Sequence, residues 1–243
     1  GPVPSHWDWP RSCVGVPEVL FRLLHHETSG ELTYLLADAD AREAVLVDPY
    51  SRDLPVLQAL LDGRGLHLRW ILRTHDHDTQ CPGEAGRLAR LGAPIMQGRR
   101  CAEVRQVTDG AVLCFGSEHV RVIETPGHTP NCLSFAWRDR VFCGGLLAID
   151  ACPRQPIPAL PAALWDSVMR RIFTLADETL LFSGHERRAR AVSTAMEQRR
   201  WHPYFAGRTR DEFLAQMSTL ASHAPAPTGR LTDLAACGPT SLQ

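Results

Sequence analysis

Apolar and polar positions follow two different spacings along this chain, and the balance between them shifts from one half to the other. Val19 to His25 and Leu32 to Ala37 are apolar-rich runs around Glu27-Thr28-Ser29-Gly30, which predicts two strands and a turn. Ala44 to Val47 predicts a short strand stopped by Asp48-Pro49. Apolar residues at 54, 57, 60 and 61 fall on one helical face, and Gly63 and Gly65 end it. Leu68 to Leu72 predicts a buried strand and Glu84 to Leu91 a helix closed by Gly92. Ala93 to Met96 reads as a strand and Cys101 to Val104 as a short helix. Strands then crowd together: Val112 to Phe115, Val120 to Glu124, Cys132 to Trp137 and Val141 to Cys143. A Pro-rich loop runs from Pro153 to Pro161. Leu164 to Leu175 has the pattern of an amphipathic helix, Thr179 to Phe182 of a strand and Arg190 to Arg200 of a helix. Thr209-Arg210-Asp211-Glu212 is a capping box that opens a last helix to about Leu220.

Each half therefore repeats one order: strands, a loop carrying His, a helix. Sheets and helices of this kind bury their apolar faces against one another. The expected class is α/β, an αββα sandwich of two mixed sheets packed face to face with helices outside. No linker interrupts the central chain, so one domain is expected over residues 18–222. Residues 1–17 read as an N-terminal extension, whose Gly1-Pro2 has the form of a tag remnant. Residues 223–243 read as an extended C-terminal tail, rich in Pro and Gly.

Composition narrows the function classes. The 243 residues are 44% hydrophobic and 22% charged, an ordinary globular balance. A formal net charge of −1 gives no bulk attraction to nucleic acid or to an anionic membrane, and neither partner is expected. No apolar run approaches the roughly 20 residues needed to cross a bilayer. All 26 basic residues are Arg, which excludes a Schiff-base lysine, a pyridoxal-phosphate enzyme and a P-loop. The eight Cys are scattered without a C-x-x-C pair, and no signal-peptide core is read near residue 1. Free thiols and a cytoplasmic location are the corresponding expectations.

Candidate chemistry gathers at strand ends. Arg73-Thr74-His75-Asp76-His77-Asp78 follows the apolar run 68–72 directly. His128 lies in Thr125-Pro126-Gly127-His128-Thr129-Pro130, and His185 in Ser183-Gly184-His185-Glu186. A strand fixes the backbone while the loop beyond it presents side chains, a common way to build a site. Neutral imidazoles suit zinc and iron alike, and three of them leave coordination positions for water or substrate. Asp76 and Asp78 read as solvated loop carboxylates. Cys81 opens the following helix, where backbone amides lower a thiol pKa, and is a candidate redox or substrate contact. The other seven His read as surface or satisfied core residues.

Thr74-His75-x-His77, Thr125-Pro126-Gly127-His128-Thr129 and Ser183-Gly184-His185 resemble the metallo-β-lactamase superfamily. Leu32 to Leu36, Glu43 to Pro49, Leu146-Leu147 before Cys152-x-Arg154, Glu212-Phe213 and Cys237-Gly238 resemble its persulfide dioxygenase and glyoxalase II branch in particular. The resemblance covers about residues 18 to 238. It implies the αββα fold. It also implies one of two activities: oxidation of glutathione persulfide to sulfite at one non-haem iron held by two His and one Asp, or thioester hydrolysis at a two-metal site. Arg154 falls where the family places a basic substrate contact. A homodimer is also implied.

The departures from the family are specific. In its H-x-H-x-D-H motif the last two places are Thr79 and Gln80 here. The metal-binding Asp of the family corresponds to Gly145. A two-metal hydrolase is therefore not expected, and the residues left for a metal are His75, His77 and His128. The leading expectation is one Fe2+ acting on a small-molecule thiol or persulfide, glutathione-derived by resemblance. The alternatives are a zinc-dependent thioester or acyl hydrolase with His185 orienting substrate, and a catalytically inactive binding protein on the same fold.

Overall fold

The computed structural model describes residues 18–77, 83–153, 155–156, 159–187 and 190–222. Twelve strands among these residues form two six-stranded sheets. The first runs in chain order: β1 (Val19–His25), β2 (Leu32–Asp38), β3 (Glu43–Val47), β4 (His67–Leu72), β5 (Ile95–Gln97) and β6 (Val104–Gln106). The pairs β1–β2 and β2–β3 are antiparallel, and from β3 to β6 every pair is parallel. The second holds β7 (Val112–Phe115), β8 (Glu118–Glu124), β9 (Leu133–Trp137), β10 (Arg140–Gly144), β11 (Leu180–Arg187) and β12 (Arg190–Thr194). Only β10–β11 is parallel there. Both sheets are mixed, as expected.

Period-two alternation sends each strand's residues to two different cores. In β2 all seven residues are buried. Leu32, Tyr34 and Leu36 enter the core between the sheets, with Val45, Phe135, Trp137, Phe142 and Phe182. Leu35 and Ala37 face the other way, onto α1 (Leu54–Gly63) and α2 (Gly83–Leu88) through Leu57, Leu61 and Leu88. On the far side, Val141, Cys143 and Leu181 pack under α3 (Pro161–Ser167) and α5 (Arg210–Ser222) through Leu164, Trp165 and Phe213. Three cores between four layers are the αββα sandwich. Each fully buried Leu or Phe contributes about 1.5–3 kcal/mol of transfer free energy to it. Polar clasps also join the sheets: the Tyr34 hydroxyl donates to the Ser183 carbonyl at 2.5 Å and Trp70 Nε1 to the Cys114 carbonyl at 2.8 Å.

Some local expectations are corrected. Arg190 to Arg200 is not one helix: β12 takes the first five residues, and α4 (Ala195–Trp201) follows, capped by Thr194 Oγ1 accepting from the Glu197 amide at 3.1 Å. Helix-favouring Arg and Ala at the start of that segment yield to pairing with β11, in which Phe182 faces Val192. Cys101 to Val104 is a turn leading into β6 rather than a helix. The helix from Leu164 begins at Pro161, where a Pro fits the first turn, and ends in a π-helical turn at Val168–Ile172. Thr209 and Glu212 form the expected capping box, each side chain accepting from the other's amide, at 3.2 and 3.0 Å.

The free-thiol expectation holds for Cys114, Cys132 and Cys143 but fails for Cys101 and Cys152, which are disulfide-bonded. Neither stands in a C-x-x-C pair, so their spacing in the sequence does not announce a bond. Cys81 and Arg154, the two candidate substrate contacts, lie outside the described residues, as do the extension 1–17 and the tail 223–243. Among the described residues no helix is long and apolar enough to cross a membrane.

Candidate metal centre

β4 ends at Leu72, and the chain turns into the loop that carries His75 and His77. The loop leaves the sheet on fixed bonds: the Arg73 amide donates to Met96 O at 2.9 Å and the Leu133 amide to Thr74 O at 2.8 Å. The second bond ties the loop to β9, in the other sheet. His128 sits in the β8–β9 connection, whose shape is held from outside. Gln155 Nε2 donates to Gly127 O at 2.6 Å and Ser167 Oγ to Pro126 O at 2.6 Å. Gly127 has φ +155, and a Cβ there would lie 2.4 Å from Leu164 Cα, so α3 presses directly against this loop.

The two loops bring three imidazoles together. One ring nitrogen each of His75, His77 and His128 lies within 4.8 Å of the other two. Ring centroids are 4.7 to 4.9 Å apart and the planes meet at 68 to 90°. Nε2 of His128 is 3.0 Å from Nε2 of His77. At that separation two neutral rings share a proton, and two ligands on one ion at about 2.1 Å per bond are spaced similarly. The donor set therefore fits a single metal ion.

The orientation of His75 is fixed by a chain of bonds behind it. Asp48, at φ +50 after β3, accepts from the Thr74 amide at 2.7 Å and from the Thr74 hydroxyl at 2.6 Å. Thr74 Oγ1, having donated to Asp48, is then left to accept from His75 Nδ1 at 2.8 Å. With its proton on Nδ1, His75 carries its lone pair on Nε2, toward the other two rings. Burial holds the His75 pKa well below the usual imidazole value, helped by the positive potential of His128, His77, His185 and Arg73. A neutral ring is the form that ligates. Burial also raises the Asp48 carboxyl to about 6, against the Thr74 bonds and Arg73, which pull it down. Gly144, at φ +55, makes the arrangement possible, since a Cβ there would lie 2.2 Å from Thr74 Oγ1.

The cluster lines a cavity of about 530 Å³. Its lining also includes His185, Ser183, Gly145, Cys152, Tyr50 and Glu84. His185 is in β11, bridged antiparallel to Glu31, and stands outside the three-ring group. Arg52 stacks 4.4 Å above the Tyr50 ring and pairs with Glu31 at 3.4 Å. Burial raises the Tyr50 phenol well above its ordinary value.

Asp76 corrects an expectation. Its side chain is 5% exposed and pairs with Arg99 at 3.1 Å and Arg73 at 3.7 Å, so it is a buried ion-pair partner rather than a solvated carboxylate. Asp78 lies outside the described residues. The Asp48–Thr74 chain and the Tyr50–Arg52 wall are not visible in a search for metal-ligating residues. A carboxylate closing an apolar strand at Asp48-Pro49 was their one signal.

Comparison with known proteins finds relatives of the same fold. No family model matches the chain. It is 33% identical over 196 residues to the human protein "Persulfide dioxygenase ETHE1, mitochondrial", covering 78% of this chain and 76% of the relative. A mouse "Hydroxyacylglutathione hydrolase-like protein" is 34% identical over 169 residues, covering 63% of this chain and 56% of the relative. The crystal structure of ETHE1 from Myxococcus xanthus superposes with a TM-score of 0.77 at 33% identity, covering 86% of this chain and 93% of that one. With these relatives, two mixed sheets and a histidine cluster at their edge, the chain belongs to the persulfide dioxygenase branch of the metallo-β-lactamase superfamily.

Proposed function

We propose that this protein is a mononuclear metal-dependent enzyme of persulfide dioxygenase type, with His75, His77 and His128 holding one Fe2+. The observation that carries the reading is the convergence of three imidazoles, within 4.8 Å, on the wall of a cavity large enough for a small organic molecule. The substrate class is a small thiol or persulfide, glutathione-derived by resemblance. Iron supplies oxygen activation beside a bound thiolate, where zinc would supply an ionised water of pKa about 7.

The chain's own residues do the rest. Asp48 and Thr74 hold the His75 proton at Nδ1 and keep Nε2 as the donor. Three neutral ligands leave the full double positive charge of the ion, one unit more than a set that includes a carboxylate. That charge favours an anionic thiolate or persulfide over a neutral ligand. His185, which lines the same cavity, orients the substrate. Arg154 and Cys81 are proposed as further substrate contacts by their place in the sequence.

Zinc-dependent thioester hydrolysis is the second reading, supported by the hydroxyacylglutathione hydrolase relatives. Elemental analysis of protein expressed with iron and zinc both supplied separates the two. The expected result is close to one iron per chain, lost in His128→Ala, with oxygen consumed when glutathione persulfide is added. One zinc and thioester hydrolysis would support the second reading. Absence of any bound metal would overturn both and leave a binding role.

A further inference from the structure

Two guanidinium groups, Arg52 and Arg73, line the cavity, and they are held in different ways. Arg73 is buried, with Nη1 donating to Gln97 Oε1 at 2.9 Å. Arg52 is exposed, and its polar contacts are long. Nη1 is 3.4 Å from each oxygen of Glu31, Nη2 is 3.4 Å from Ser29 Oγ, and Nε is 3.7 Å from Asp53. A fully made bond between guanidinium and carboxylate spans about 2.7–2.9 Å. Arg87 and Glu84 reach 2.9 Å in the same molecule.

What places Arg52 is the Tyr50 ring, 4.4 Å from the guanidinium carbon. Stacking of this kind sets the position of the fork without using its N–H donors. The chain also ties the fork to the imidazoles. Asp48, which orients Thr74 and His75, stands shortly before Arg52 in the same segment. Glu31, the acid facing the fork, is bridged by backbone to His185. We infer that Arg52 is a specificity residue of this cavity, and that its fork takes a carboxylate of the ligand in exchange for the loose contact with Glu31. Glu31 keeps a share of the donors and so competes with the ligand. The substrate class narrows accordingly to a thiol or persulfide that carries a carboxylate. This deepens the function proposed above and rests on it for the sulfur end alone; the carboxylate end rests on Arg52.

The test is a calorimetric titration of the full chain, as purified, with two probes. S-methylglutathione carries carboxylates and no free thiol, and its diethyl ester carries neither. Wild type should bind the acid at least about 10-fold more tightly than the ester, and Arg52→Gln should lose that preference. Glu31→Gln should tighten acid binding by about 2- to 5-fold, because the competing carboxylate is gone. Both variants break the same contact between Arg52 and Glu31. A merely structural role for that contact would shift them in one direction, so opposite shifts are the signature. Equal acid affinity in wild type and Arg52→Gln would overturn the inference, as would a fall in both variants or no acid binding by wild type. Should Arg52→Gln fail to fold, Arg52→Lys keeps the charge without the planar fork. It should bind the acid more weakly than wild type, and unchanged affinity would overturn the inference. The titration needs neither turnover nor a bound metal. A protein found to hold no metal would therefore sink the enzyme reading and still decide the role of Arg52.

Discussion

His75 is half-buried and His202 fully buried, and desolvation pushes both pKa values down, yet one lines the proposed metal site and the other a core. His202 has both nitrogens engaged by backbone. Nε2 donates to Ala148 O at 2.8 Å and Nδ1 accepts from the Tyr204 amide at 3.1 Å. Its ring packs 4.8 Å from Phe205, under α5. His75 has Nδ1 engaged by Thr74, and its other edge meets His77 and His128 at the cavity wall. Burial depresses a pKa in either setting. What separates them is how much of the ring's bonding capacity the protein itself uses.

The largest expected effect breaks that contrast outright. His75→Ala should lower Fe2+ or Zn2+ affinity by more than about 100-fold, since losing a ligand exceeds the loss from an outer partner. His202→Gln should leave metal affinity within about two-fold of wild type, with chelator competition as the measurement. Equal losses in the two variants would show that metal binding depends on global packing and not on the three rings.

A smaller effect is expected at Asp48. In Asp48→Asn the amide donates to Thr74 Oγ1, whose hydroxyl then donates to His75 Nδ1 and drives the proton to Nε2. Metal affinity should fall about 10–100-fold with the fold retained. Circular dichroism with metal titration checks both halves of that statement.

Acid should then sharpen the comparison from the core side. The folded pKa of His202 is lowered to about 4 from 6.5, so between these values the unfolded chain binds the extra proton. Stability from this group is complete above pH 6.5 and is lost as pH falls through 4, up to about 3 kcal/mol. Asp48, raised to about 6 from 3.8, acts in the opposite sense across pH 3.8 to 6. The readout is therefore the difference between wild type and His202→Gln in urea unfolding at pH 7 and pH 5. That difference should be larger at pH 7, because the variant lacks the acid-sensitive component. The smallest effect is at the α5 cap: Thr209→Ala should cost about 1 kcal/mol and leave metal affinity unchanged.

Most strands were legible because each combines an apolar run with a clear stop, as at Val47 before Asp48-Pro49. β12 was not, since the residues of its segment favour a helix and its strand state comes from pairing with β11. The three rings were legible because two strand-end motifs announce them. Two other features were hidden because they are properties of contact between distant segments: the close approach of Gly145 to the His128 ring and the pairing of Asp76 with Arg99.

His77 and His128 are separated by 51 positions, one carried by a loop leaving the first sheet and the other by a loop of the second. A chain emerging from the ribosome thus exposes two potential ligands well before the third. An ion captured early would be held weakly and exchanged easily. Tight retention waits until β8 and β9 have paired and delivered His128. On the proposed three-histidine site, selection of the metal is thereby deferred until the two sheets have met, when the shape of the cavity, and not the order of synthesis, decides what stays.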